Sequence, residues 1–128
     1  MRITRNVAWV CLLVVWLLSI AGCAKKETKI DENRPIDEVK AEAEKMDAKE
    51  LRAAALKYKE VLAAKQVELD KIAAKLDNVS ATEIIEATKK IQPEMEKIAG
   101  SMAALRERYQ VYFQKLKEKG GDVSGLEI

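Results

Sequence analysis

Cys23 carries the most distinctive chemistry in the chain. It closes the stretch Leu18-Ser19-Ile20-Ala21-Gly22-Cys23 and is followed at once by Ala24-Lys25-Lys26-Glu27. A cysteine sulfur is the nucleophile that can carry a thioether-linked lipid, and small residues such as Ala21 and Gly22 let a backbone lie extended in a peptidase groove. Other reactive constellations are scarce. The sequence has no histidine, and its second cysteine, Cys11, sits inside the apolar run from Val7 to Ala21. Ser80, Ser101 and Ser124 have no base placed to activate them. The carboxylates are interleaved with lysine and arginine, and none belongs to the Glu-x-x-His pattern of helical metal sites. Gly120-Gly121 follows a helical stretch instead of opening one, which is the wrong context for a phosphate loop. The expectation is a protein that is not an enzyme, with no catalytic residues, no metal and no cofactor.

The context of Cys23 sharpens its role. Arg2 and Arg5 precede the fifteen uncharged residues Val7 to Ala21, which include Trp9 and Trp16. That run is shorter than the roughly 20 residues needed to cross a bilayer and matches the ~7 to 15 residue apolar region of an export signal; an uncleaved anchor is the alternative. The stretch Leu18 to Cys23 closely resembles the lipobox of bacterial lipoproteins. The resemblance implies signal peptidase II cleavage between Gly22 and Cys23, a covalent diacylglycerol and an N-acyl lipid on Cys23, and residence on a cell-envelope membrane. In well-studied Gram-negative lipoproteins an aspartate after the cysteine retains the protein at the inner membrane. Ala24 in that position therefore implies the outer membrane, periplasmic face. Likeness to the major peptidoglycan-linked lipoprotein extends only to lipidation and heptads, since that family ends in a lysine used for attachment and this chain ends in Ile128.

Removal of residues 1–22 changes the charge balance. Taking Arg2 and Arg5 from the 23 basic side chains leaves 21, against 21 acidic ones that all follow Cys23. A nucleic-acid binder shows a basic excess or stripe, so nucleic acid is not an expected partner.

The remainder must be helical. Residues 23–34 are polar and read as a flexible lipidated tether. Pro35 suits a first helical position, and from there to Leu76 the chain lacks internal glycine and proline and is rich in alanine, lysine, glutamate and leucine. Leu51, Ala55, Tyr58, Leu62, Lys65, Leu69, Ile72 and Leu76 recur at steps of four and three, a coiled-coil seam. Ser80-Ala81-Thr82-Glu83 matches a capping box, with Ser80 and Glu83 as the cap of a second helix over 81–119. Its seam runs through Ile84, Thr88, Ile91, Met95, Ile98, Met102, Leu105, Tyr109, Tyr112 and Leu116. Gly120 supplies the left-handed stop, and residues 120–128 form a tail. Pro93 points away from the seam and predicts a kink, and Lys65 within the seam is expected to meet Gln92 or Glu96.

The expected fold is all-α, a long antiparallel two-helix hairpin over 35–119 (35–76 and 81–119), with a short turn setting Ala48 near Tyr109 and Ala55 near Met102. A phase slip qualifies it: Ile36, Val39, Ala43 and Met46 keep their own seam, and Asp47-Ala48-Lys49-Glu50 also has the form of a helix start. The alternative is a three-helix arrangement with a short first helix folded over the other two. Function divides the same way. One reading is an envelope scaffold standing as a rod with Asp77 to Ser80 outermost. The other is a binding module that captures a partner helix in the periplasm. Self-association into a four-helix bundle is expected, because Leu56, Val61, Val67, Ile85 and Val111 flank the seam without partners in a lone hairpin. A hairpin has no concave pocket, so no small-molecule substrate is expected.

Overall fold

The computed structural model describes residues 28–128. Its elements are α1 (Ile36–Lys45), α2 (Ala48–Ala73), a 3-10 turn (Ala74–Leu76) and α3 (Ile84–Glu118). The long pair, α2 and α3, forms the antiparallel hairpin. Tyr58 packs beside Tyr112 in a tilted arrangement with ring centroids 5.5 Å apart, and nearer the turn Lys75 reaches Glu94 at 3.9 Å. No strand occurs among the described residues.

The single arm expected over 35–76 is divided. Met46 adopts an extended conformation, φ −81° and ψ 144°, and Asp47 opens α2 with a reciprocal capping box. Its Oδ1 accepts from Glu50 N at 2.8 Å, and Asp47 N donates to Glu50 Oε2 at 2.9 Å. Met46 and Leu51, both buried, occupy the hydrophobic-staple positions on either side. The phase slip is the physical cause. A continuous helix would rotate Val39, Ala43 and Met46 off the face that Leu51 presents, whereas a reversal lets both sets of side chains reach one core.

α1 therefore runs back along α3, and parallel to it. The Arg108 guanidinium donates to Arg34 O at 2.9 Å at one end, and Lys115 pairs with Glu44 at 2.5 Å at the other. Lys119 donates to Glu44 O at 3.1 Å and to Met46 O, satisfying carbonyls orphaned at the end of α1. α1, the first half of α2 and the last half of α3 make an up-down-up three-helix head.

The far half of the hairpin is different. Between Leu62 and Ile98 only Ile72 is buried, and Leu69, Leu76, Ile91 and Met95 are half-buried. This two-helix arm ends in a turn over 77–83, wider than expected. Its tightening bonds are Asp77 N to Ala74 O and Val79 N to Leu76 O, each 3.2 Å. The register shifts with it: Tyr58 faces Tyr112, and Ala48 lies against Gly121, where an added Cβ would come within 3.2 Å of the alanine methyl, instead of Tyr109. α3 passes through Pro93 without ending, and closes in a Schellman motif. There Gly120 takes φ 66°, Gly120 N bonds Lys117 O at 3.0 Å and Gly121 N bonds Leu116 O at 2.9 Å.

Candidate functional site

Gly22 and Cys23, the predicted cleavage and lipidation positions, lie outside the described residues, as does 23–27 of the predicted tether. The rest of that tether is not free. Asn33 N caps onto Asp31 Oδ1 at 2.9 Å, Arg34 N returns to Asp31 O at 3.4 Å, and Ser101 donates to Glu32 of the same segment. Thr28 is buried and Ile30 packs on the core. Ile30 supplies the apolar contact that a composition reading of residues 23–34 undervalues.

The other predicted cap is also revised. Helix α3 begins at Ile84, and Ser80 Oγ donates to Glu83 Oε2 at 2.6 Å instead of accepting from a backbone N–H. Ile84 N and Glu83 N both bond Ser80 O at 3.0 Å, so the backbone of Ser80 does the capping. A first turn already engaged by its own carbonyl leaves the side chains to each other.

Where the head meets the tether, a polar group is enclosed by the three helices. Arg108, 8% exposed, donates through Nη1 to Ala104 O at 2.7 Å and through Nε and Nη2 to Arg34 O. Arg34 pairs with Glu42. Beneath them Tyr58 and Tyr112 are fully buried, and neither hydroxyl completes a hydrogen bond among the described residues. Burial pushes the Tyr112 phenol up to about 12, with Glu42 adding to the shift. Tyr58 moves in the same direction for the same first reason. This is a packed structural centre in which Arg108 ties the tether to α3. The sequence signal for it was present, an arginine one residue before a seam tyrosine, but nothing in the periodicity identifies a buried arginine.

The tail over 120–128 is clamped along the hairpin. Arg52 donates to Asp122 O at 2.5 Å and to Ser124 O at 2.9 Å. Lys59 Nζ donates to Gly125 O at 2.8 Å and Glu127 O at 2.7 Å. Tyr109 donates to Leu126 O, and the Leu126 side chain is fully buried. The Ser124 hydroxyl and backbone N–H, followed by Arg52, hold the Asp122 carboxyl below its usual range. Gly125, at φ 73°, provides the bend that points Leu126 inward.

Three of the exposed large apolar side chains stand on the arm, Ile85 at 67%, Val67 at 52% and Ile84 beside Ile85 at the turn, and Leu56 and Ile128 are exposed outside it. Lys65 does not cross the seam; it pairs with Glu68 on its own helix at 3.9 Å, and Gln92 bonds Glu96 on its own at 2.7 Å. Of the five flanking residues, Val61 and Val111 pack against the core, while Leu56, Val67 and Ile85 remain exposed. Among the described residues no group of three or more His, Cys, Asp or Glu side chains could hold a metal ion, and no helix is long and apolar enough to cross a membrane. Comparison of the chain with protein-family models, curated proteins and solved structures gives no match.

Proposed function

We propose that this chain is an exported, non-enzymatic lipoprotein, held on an envelope membrane by a lipid on Cys23, whose helical domain serves as a scaffold. The supporting observation is the division between a head whose seam residues are buried by three helices and an arm whose seam is covered from one side only. Replacing Cys23 with Ala tests the anchor: fatty-acid labelling and the signal peptidase II product should both disappear, and persistence of either removes the anchor from the reading.

The scaffold part predicts contacts between copies through the arm. Ile84 and Ile85, adjacent and exposed at the arm tip, also favour a second reading, capture of a partner helix. Photocrosslinking from Ile85 in the intact envelope separates the two. An adduct of twice the chain mass supports scaffold pairing, and an adduct of another mass supports capture.

A further inference from the structure

We propose that a lipid bilayer covers the outward face of α2, so that the molecule lies along the membrane instead of standing upright on it. The proposal rests on lipidation of Cys23 and adds the orientation that the fold imposes on an anchored chain. Thr28, Lys29 and Ile30 share a shallow surface cavity with Lys57, Glu60 and Val61, midway along α2, and Thr28 is 8% exposed. The chain thus enters the folded domain at its waist, not at an end.

Thr28 is five residue steps from Cys23, and stretched taut that link spans ~17 Å. From Val61 to the end of the 3-10 turn at Leu76 is ~22 Å at 1.5 Å per residue, before the loop is counted. A molecule balanced on its arm tip would hold Cys23 off the membrane. Standing on the opposite end, near Ala48, requires ~14 Å along the helix from Lys57 plus the thickness of the 46–47 reversal, which leaves the link taut. Lying on α2 requires only the ~5 to 6 Å radius of a helix with its side chains.

The face beside the tether suits that contact. At about 100° per residue, Lys57 and Val61 border one edge of α2, while Arg52 and Lys59, which clamp the tail, border the other. Between them lie Ala53, Leu56, Glu60, Ala63 and Val67, all exposed. The alanines allow close approach, Leu56 and Val67 offer insertion, and Lys49 and Lys71 on the same stripe face the headgroups. The outward residues of α1, among them Asp37, Glu38 and Lys40, are charged and provide no such surface. The face is too weakly apolar to bind lipid alone, but a short link to an anchored cysteine raises its effective concentration at the membrane enough to occupy it.

The test uses the full chain, exported and lipidated in a bacterial host and reconstituted into phosphatidylethanolamine–phosphatidylglycerol vesicles. Cys11 leaves with the signal and Cys23 is blocked by lipid, so Leu56→Cys, Val67→Cys and Gln114→Cys each accept one bimane label. Gln114 is exposed on α3 toward α1, away from the proposed contact. Spin-labelled phospholipid should quench the labels at 56 and 67 several-fold more than the label at 114, and Val67→Glu should erase the excess at 56. Flotation with the vesicles reports anchoring separately. A chain that fails to float overturns anchor and orientation together, whereas a floating chain with equal quenching at all three positions, or most at 114, overturns the orientation alone.

Discussion

Tyr58 and Tyr112 are the two largest fully buried side chains among the described residues. Both rings are fully buried, and burial outweighs the nearby Arg34 guanidinium at hydroxyls that complete no hydrogen bond among the described residues. Replacing a buried, unpartnered hydroxyl with hydrogen removes a penalty instead of a bond. Tyr112→Phe should therefore leave stability unchanged or raise it at neutral pH. The hydroxyl also sets an alkaline limit. A phenol raised from the ordinary 10 to about 12 stays protonated in the folded chain while the unfolded chain ionises. Its contribution is fully present below pH 10 and is lost as pH rises toward 12, a decline of roughly 2 to 3 kcal/mol from this group. Urea unfolding across that window should show the fall in the wild type and a shallower one in Tyr112→Phe. Tyr109, whose hydroxyl reaches Leu126 O, should behave oppositely: Tyr109→Phe loses about 0.5 to 1.5 kcal/mol.

At the scale of elements, the decisive feature is where helices start. Asp47 makes a two-way capping box and Ser80 does not, so Asp47→Ala should cost about 0.5 to 2 kcal/mol while Ser80→Ala stays near neutral. Equal losses in the two variants by thermal melting would contradict the assigned helix start. Both segments carry the same kind of sequence signature, a capping residue three before a glutamate. What distinguishes them is tertiary: Met46 and Leu51 close over the first as a buried staple, whereas Ile84, next to the second, remains 38% exposed. The tail is an element in its own right although it has no regular structure. Leu126 is its one fully buried apolar side chain, with Val123 packed partly against the same core, and Leu126→Ala should lose about 2 to 5 kcal/mol if the site cannot collapse, with faster proteolysis after Asp122 as a second readout.

Over the whole molecule, stability is unevenly distributed. The head concentrates Val39, Leu51, Tyr58, Leu105, Tyr112 and Leu116 in one cluster, while the arm keeps only Ile72 and Ile98 buried, at one level of the hairpin. Amide exchange should follow that gradient, with residues 63–76 and 84–97 opening at lower free energy than 48–60 and 100–116. Uniform protection along the hairpin would indicate that something covers the arm in solution. The same gradient separates a stable head, on which residues 28–34 pack, from an arm that leaves Val67 and Ile85 exposed.

Much of this was legible in the sequence. The seam of α3 from Ile98 to Leu116 is buried at each predicted step, because a four-three apolar repeat leaves a long helix only one face to bury. The helical class, the antiparallel hairpin and the left-handed glycine at 120 follow from local rules of the same kind. The break at Met46, the shifted register of Tyr58 on Tyr112, and the packed courses of residues 28–34 and 120–128 do not. Each depends on a competition between distant groups: α1 against solvent for the side of α3, Arg108 and Arg34 O across the chain, Leu126 for a gap beside Tyr109. A linear pattern records which residues need burial, but only the assembled helices determine which surface buries them.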